Sequence, residues 1–358
     1  MNFVNPNSGV FVWSRNASDI IVTGASVLSG SVQFTVLLNG AAVSSFGLTP
    51  SLSGQVILRF REILEAILPK GDDTQFLTAE SYRYSNTVAI QAEQGEESVI
   101  TSSMVCFRGG SDDLRAAFPY TKHWLTWKPQ VTDTWAWAKE ILACVLPPST
   151  AVTVRAKVYF AYHSPVTVTV KSFASQGSAS IGMVDCSPTV IEGLANVSND
   201  SMIAYDVFTG TVMAHRFILR PTRLRGREFL FRNSLGVIDT VFATGDVGRE
   251  TESAVTRVRI NRTDQELSNE AEDLFKVQSG HIRDRRMMVQ WQEFARSTER
   301  YVRLQGDVAR RISVTQIDYE MTEHQLSGAT VTYHYADTFT GRYFNDTELE
   351  DYDYTTAE

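Results

Sequence analysis

The sequence predicts a mainly β protein: tandem immunoglobulin-like β-sandwich domains with short crossover helices, then a C-terminal β domain that carries one amphipathic helix. Two observations predict it. Apolar and polar residues alternate in short runs along the 358 residues, which is the period-2 signature of half-buried strands. About seven such runs, separated by turn residues, crowd into the first 95 positions, the strand density of an immunoglobulin-like sandwich. The 43% hydrophobic fraction is ample for packed cores, and the length suits two or three domains at roughly 100–200 residues each.

The elements follow in order. VFVW (10–13) and DIIVTG (19–24) read as the first strands. In SVQFTVLLNG, Val32, Phe34, Val36 and Leu38 share one strand face, and Asn39-Gly40 closes a tight hairpin because both central positions of a type I′ turn need positive φ. AAVSSF returns from it, and QVILRF, FLTAESYRY and TVAIQAE complete a first domain, residues 1–96. Two segments resemble each other: Glu62-Ile-Leu-Glu-Ala-Ile-Leu-Pro69 and Glu140-Ile-Leu-Ala-Cys-Val-Leu-Pro147. Each fits a short helix with an apolar stripe, ended by proline. A duplicated module would explain the pair. A common crossover helix in each sandwich explains it better, since the flanking sequences do not align.

A second domain, residues 97–249, begins with VITSSMVCF and a Gly109-Gly110-Ser-Asp-Asp113 loop. An aromatic stretch with Tyr120, Trp124, Trp127, Trp135 and Trp137 follows and is expected to include a helix. AVTVRAKVYFAY, PVTVTVKSF, MIAYDVF and MAHRFILR then alternate cleanly, and the FLFRNSLGVIDTVF hairpin ends the domain. There Asn233 suits a turn held by its side chain and Gly236 supplies a permissive φ. The third domain, 250–358, has a strand at AVTRVRI, an ambiguous polar run DQELSNEAEDLF and a helix at 285–297 with Met288, Trp291, Phe294 and Ala295 on one face. A strand pair turning at Gly306-Asp307, a closing strand GATVTYHYAD and an acidic tail, 346–358, complete it.

Chemistry is sparse. Cys106, Cys144 and Cys186 are odd in number and form no CxxC pair, so buried thiols are expected rather than disulfides or a zinc site. The six histidines show no HxH or HxxxH spacing. There is no GxSxG elbow and no phosphate-binding GxxxxGK[ST]. Asp112-Asp113 lacks the acidic spacing of an EF-hand and reads as a solvated turn. No enzymatic activity, cofactor or metal is expected. A glycosidase pair of carboxylates joined only in space is the third-ranked alternative. The net charge of −8 argues against a general nucleic-acid binder. With no run of 18 apolar residues and no basic, apolar leader at the N-terminus, neither a membrane span nor export is expected.

Two clusters are candidate contact surfaces. Trp124, Trp127, Trp135 and Trp137 suit either a core, an interface or a sugar-stacking platform. Arg216, Arg220, Arg223, Arg225, Arg227 and Arg232 form a basic strip. The readings of that strip rank as a solvated sheet face, then a subunit contact complemented by the acidic tail, then nucleic acid.

FLFRNSLGVIDTVF resembles the [W/R]-N-S-L-G-G-x-[DE]-x-x-x-F hairpin of β-sandwich structural proteins encoded by phages and prophages of gut Bacteroidetes, and HWLTWKPQ is similar to the LTxxP region that precedes it there. The resemblance covers roughly residues 97–250, and Val237 stands where that family has its second glycine. It implies a virion component of the tail or host-facing end, assembled in a bacterial cytoplasm from copies of itself and other virion proteins. The alternative is a glycan-binding adhesin or host-recognition module that contacts a host-surface glycan.

Overall fold

The computed structural model describes residues 1–7, 11–68, 82–96, 98–110, 123–210, 212–221, 226–260, 263–304, 309–320 and 328–336. The protein is mainly β, with five sheets and three α-helices among these residues. None of the described helices is long and apolar enough to cross a membrane. The acidic tail, the Gly306-Asp307 turn, the Asp112-Asp113 loop and Tyr120 lie outside the described residues.

The N-terminal part is a two-layer sandwich. Five strands in the order Val12–Trp13, Ile100–Phe107, Asn86–Glu93, Val32–Leu38, Ala41–Leu48 face a three-stranded sheet of Asn2–Val4, Ile20–Thr23 and Gln55–Leu58. Alternation sends Val32, Phe34 and Val36 of one sheet and Ile20, Val22, Val56 and Leu58 of the other into a single core. The expected helix forms at Phe60–Ile67 and buries Phe60 and Leu64. Asn39 and Gly40 have φ of 52° and 87°, as the tight hairpin requires.

A second sandwich pairs Val131–Trp135, Val212–Arg220, Met202–Thr209, Val152–Phe160 and Val166–Phe173 in one sheet, with Ile141–Leu146, Ser180–Asp185 and Tyr82–Tyr84 in the other. The sequence expectation of a helix at 140–147 is corrected here. Ile141–Leu146 is a strand, antiparallel to Ser180–Asp185, and all six of its residues are buried. Its even residues, Leu142, Cys144 and Leu146, enter the central core. Its odd residues, Ile141, Ala143 and Val145, enter a separate core at the junction of the three parts. A strand covered on both faces loses polar alternation, and a continuous apolar run is then indistinguishable from a buried helix. The aromatic stretch likewise holds no helix among its described residues; its ordered element is the strand Val131–Trp135. An unforeseen helix, Pro188–Ala195, starts on proline and ends on Asn196 in the left-handed conformation.

The third part is a seven-stranded sheet in the order 238–243, 227–232, 300–303, 310–320, 328–335, 263–278, 247–260. The helix Arg285–Arg296 packs on it through Met288, Trp291 and Phe294, as its periodicity predicts. Asp284 caps that helix by accepting the backbone N–H groups of Arg286 and Met287. The ambiguous run 264–275 is a strand, the second half of a long ribbon formed by Val247–Ile260 and Thr263–Gln278. The expected boundaries at 96/97 and 249/250 both fall inside sheets. The first separates the paired strands 86–93 and 100–107. The second falls within Val247–Ile260. Strand exchange is the reason: Tyr82–Tyr84 completes the central sandwich, and Arg227–Arg232 pairs with Arg300–Arg303 of the last sheet.

Candidate functional site

The NSLG hairpin lies at the meeting point of the three parts. Phe229 and Phe231 point into the C-terminal core, while Leu230, Leu235, Val237 and Ile238 point into the junction core. Its turn is held as the sequence suggests. The Asn233 carbonyl accepts the Gly236 N–H at 2.9 Å, its N–H donates to the Val237 carbonyl at 2.9 Å, and its Oδ1 accepts the Val237 N–H at 3.3 Å. Gly236 has φ of 80°, and a Cβ there would stand 1.8 Å from the Arg108 carbonyl oxygen. Ser234 reaches the same neighbouring loop, its carbonyl accepting the Gly110 N–H at 2.6 Å.

Below the turn, three fully buried charged side chains meet. The Lys128 ammonium contacts Glu140 Oε2 and Thr240 Oγ1 and lies 4.0 Å from Asp239 Oδ1. Glu140 Oε1 accepts a hydrogen bond from Thr134 Oγ1 at 2.8 Å. Asp239 Oδ2 accepts from Thr126 Oγ1 at 2.8 Å and from the Trp127 backbone N–H at 3.0 Å, and Oδ1 accepts the Thr240 N–H at 3.0 Å. Burial alone would lower the Lys128 pKa, but Glu140 and Asp239 outweigh it and hold the ammonium above its usual range. Nearby, the fully buried Glu228 accepts the Lys139 N–H at 2.7 Å and Arg303 at 2.8 Å. Burial lifts its carboxyl from 4.5 to about 7, with Glu140 adding to the rise and Arg303 opposing it.

A cavity of about 370 Å³ opens on the other side of Thr240. Val131, Trp135, Ile218, Phe242 and Met287 give it mainly apolar walls. Asp133 stands among them, paired with Arg220 at 2.8 Å and Arg283 at 2.6 Å. His281, Asp284 and Gln290 are among its other polar lining residues. Parallel pairing of Val131–Trp135 with Val212–Arg220 sets Trp135 opposite Arg220, so the cavity unites one member of each cluster singled out in the sequence.

The other members disperse. Trp124 is buried in the central core. Trp127 donates its indole N–H to Ser234 Oγ at 3.0 Å. Trp137 and Phe242 flank Trp135, with ring centroids 6.4 and 4.7 Å from it. The four tryptophans therefore share no single exposed platform. On the strand Val212–Arg220, Arg216 and Arg220 are exposed while His215 and Phe217 are buried, in keeping with a solvated sheet face. Arg216 holds Asp206 through two nitrogens at 2.6 and 2.7 Å. Arg227 lies over the Phe275 ring of its own seven-stranded sheet, and Arg232 bonds Glu299 at 2.7 Å and the Gly236 carbonyl at 2.8 Å. Arg223 and Arg225 lie outside the described residues. Cys106, Cys144 and Cys186 are buried free thiols. Lys128, Glu140 and Asp239 were not legible as a group. The available signals were a lysine inside an aromatic run and a carboxylate inside the apolar strand VIDTVF.

No family model matches this chain, and no curated protein matches it. Among solved structures, that of the periplasmic chaperone SfaE is similar over 56% of this chain and 89% of its own, at 10% identity and a TM-score of 0.18. A likeness that slight carries no argument about function.

Proposed function

We propose that this chain is a non-enzymatic structural subunit of a bacteriophage or prophage particle, acting by assembly with its own copies and with other virion proteins. The observation that carries the reading is the ribbon 247–278. Its two strands pair with each other along their whole length, yet the last sheet joins them only at Phe275–Gln278, opposite Thr330–Tyr333. Among the described residues no third strand is registered against 263–274, a stretch of roughly 40 Å at about 3.4 Å per residue. A two-stranded ribbon is marginally stable alone in water, and its free edges are templates for another chain. An arm of this kind fits a role in gripping a neighbour by strand addition. The resemblance of the NSLG hairpin to virion proteins points the same way.

Replacing 251–272 by a short turn tests the reading. The expected result is an intact body, with unchanged near-UV circular dichroism, that no longer sediments as an oligomer or enters particles. Oligomers of unchanged size would refute it. A second reading, a glycan-binding host-recognition module, draws on the cavity, where Trp135 and Phe242 stand beside Asp133 and Arg220. Glycan-array binding that is lost in Phe242→Ala would favour it.

A further inference from the structure

We propose that Lys128 and Asp239 are the partners of an intramolecular isopeptide bond, formed without a cofactor, with Glu140 as the proton carrier. Three features of the buried cluster argue for it. The first is proximity in a dry site: the Lys128, Asp239 and Glu140 side chains are all completely buried, and the Lys128 nitrogen lies 4.0 Å from Asp239 Oδ1. Holding amine and carboxyl together without water removes both the entropic cost of encounter and the solvent that favours the separated acid and amine.

The second is the asymmetry of the Asp239 carboxyl. Its Oδ2 takes the Thr126 hydroxyl at 2.8 Å and the Trp127 backbone N–H at 3.0 Å. Two fixed donors on one oxygen are what a tetrahedral oxyanion needs. Lys128 lies toward the other oxygen, Oδ1, so attack at Cγ leaves Oδ2 as the amide carbonyl, still held by its two donors, and Oδ1 as the leaving oxygen. The third is the placement of Glu140. Its Oε2 touches both the Lys128 nitrogen and the Thr240 hydroxyl, while Thr134 fixes its other oxygen at 2.8 Å. A carboxylate in contact with the attacking amine is placed to take its proton.

The step balances. The Lys128 ammonium passes one proton to Glu140, and its nitrogen lone pair forms a bond to Asp239 Cγ. Collapse of the tetrahedral centre breaks the Cγ–Oδ1 bond. Oδ1 leaves as water after taking the proton held by Glu140 and the second proton lost from nitrogen. No oxidant, reductant or nucleotide is consumed, and the ammonium and carboxylate are replaced by a neutral amide. The Phe217 ring, 5.7 Å from the Lys128 nitrogen, and the junction core shield the product from hydrolysis. Thr240 lines the cavity and is also in hydrogen-bond contact with Lys128 and Glu140 of the cluster. The bond would tie the segment leading into Val131–Trp135 to the strand Ile238–Ala243, and so lock the central sandwich to the last sheet.

Intact mass spectrometry of the full chain under denaturing conditions tests this, independently of any assembly. The expected mass is one water below that of the sequence, and proteolysis should yield a branched peptide joining Lys128 to Asp239. Lys128→Arg and Glu140→Gln should each restore the full mass. Because Glu140→Gln preserves shape, its soluble form keeps the test open if the lysine variant does not fold. A wild-type chain of full mass, or a water loss that persists in both variants, would overturn the proposal.

Discussion

At Gly236 two independent requirements coincide: a φ of 80° and an Arg108 carbonyl where a side chain would begin. The positive φ alone costs a non-glycine residue about 1 kcal/mol, and the clash forces the 108–110 loop away from the hairpin. Gly236→Ala is therefore expected to lower unfolding free energy by more than about 2 kcal/mol, read from the denaturant midpoint. Glu228 offers a second test. Its folded pKa of about 7 exceeds the ordinary 4.5, so the fold binds a proton that the unfolded chain releases. Its contribution is fully present below pH 4.5 and is lost as pH rises through about 7. At 1.36 kcal/mol per pKa unit the loss is about 3 kcal/mol. Comparing stability against pH in wild type and Glu228→Gln should show that slope only in wild type; parallel curves would refute it. The sequence marks Asn233 and Gly236 as turn residues because turn chemistry is local. It does not mark Glu228, whose pKa depends on Arg303 and Glu140 from distant segments.

Among the elements, those with one wet face were legible, and Ile141–Leu146, with two dry faces and no turn signal of its own, was not. Val32–Leu38 and Arg285–Arg296 carry their periods openly because solvent selects polar residues on one side. Ile141–Leu146 has no such side. Ala143 faces the junction core and Cys144 the central core, so Ala143→Asp and Cys144→Asp should each cost more than about 3 kcal/mol by chemical denaturation. Tolerance of either would mean that one face of the strand is wet. Arg227–Arg232 is also largely buried, with Arg227 and Glu228 beside Phe229 and Phe231, but the NSLG turn that follows it made it legible as one half of a hairpin.

For the whole molecule, sequential domains are replaced by parts that exchange strands. The segment 97–249 lacks Tyr82–Tyr84 and Arg300–Arg303, which pair with Ser180–Asp185 and Arg227–Arg232. Cutting it free also exposes the junction core, where Trp13 and Phe107 meet Leu230 and Ile238. A 97–249 fragment is expected to show no cooperative unfolding transition by circular dichroism, whereas 1–336 should retain one. A fragment that unfolds cooperatively would restore the simple domain division. The proposed assembly arm 247–278 belongs to this scale too, since among the described residues no third strand is registered against 263–274.

The sequence by itself determined the mainly β class, the hairpin at Asn39-Gly40, the NSLG turn, the amphipathic helix and the burial of the three thiols. Each of these rests on local backbone preference or on a contrast between wet and dry faces, and both are written in neighbouring residues. Only the tertiary structure decided that 141–146 is a strand, that the sheets cross the expected domain boundaries, and that Lys128, Glu140 and Asp239 meet. Those outcomes depend on which distant segments come to lie side by side, and a buried charge is tolerable only once its partners arrive from elsewhere in the chain.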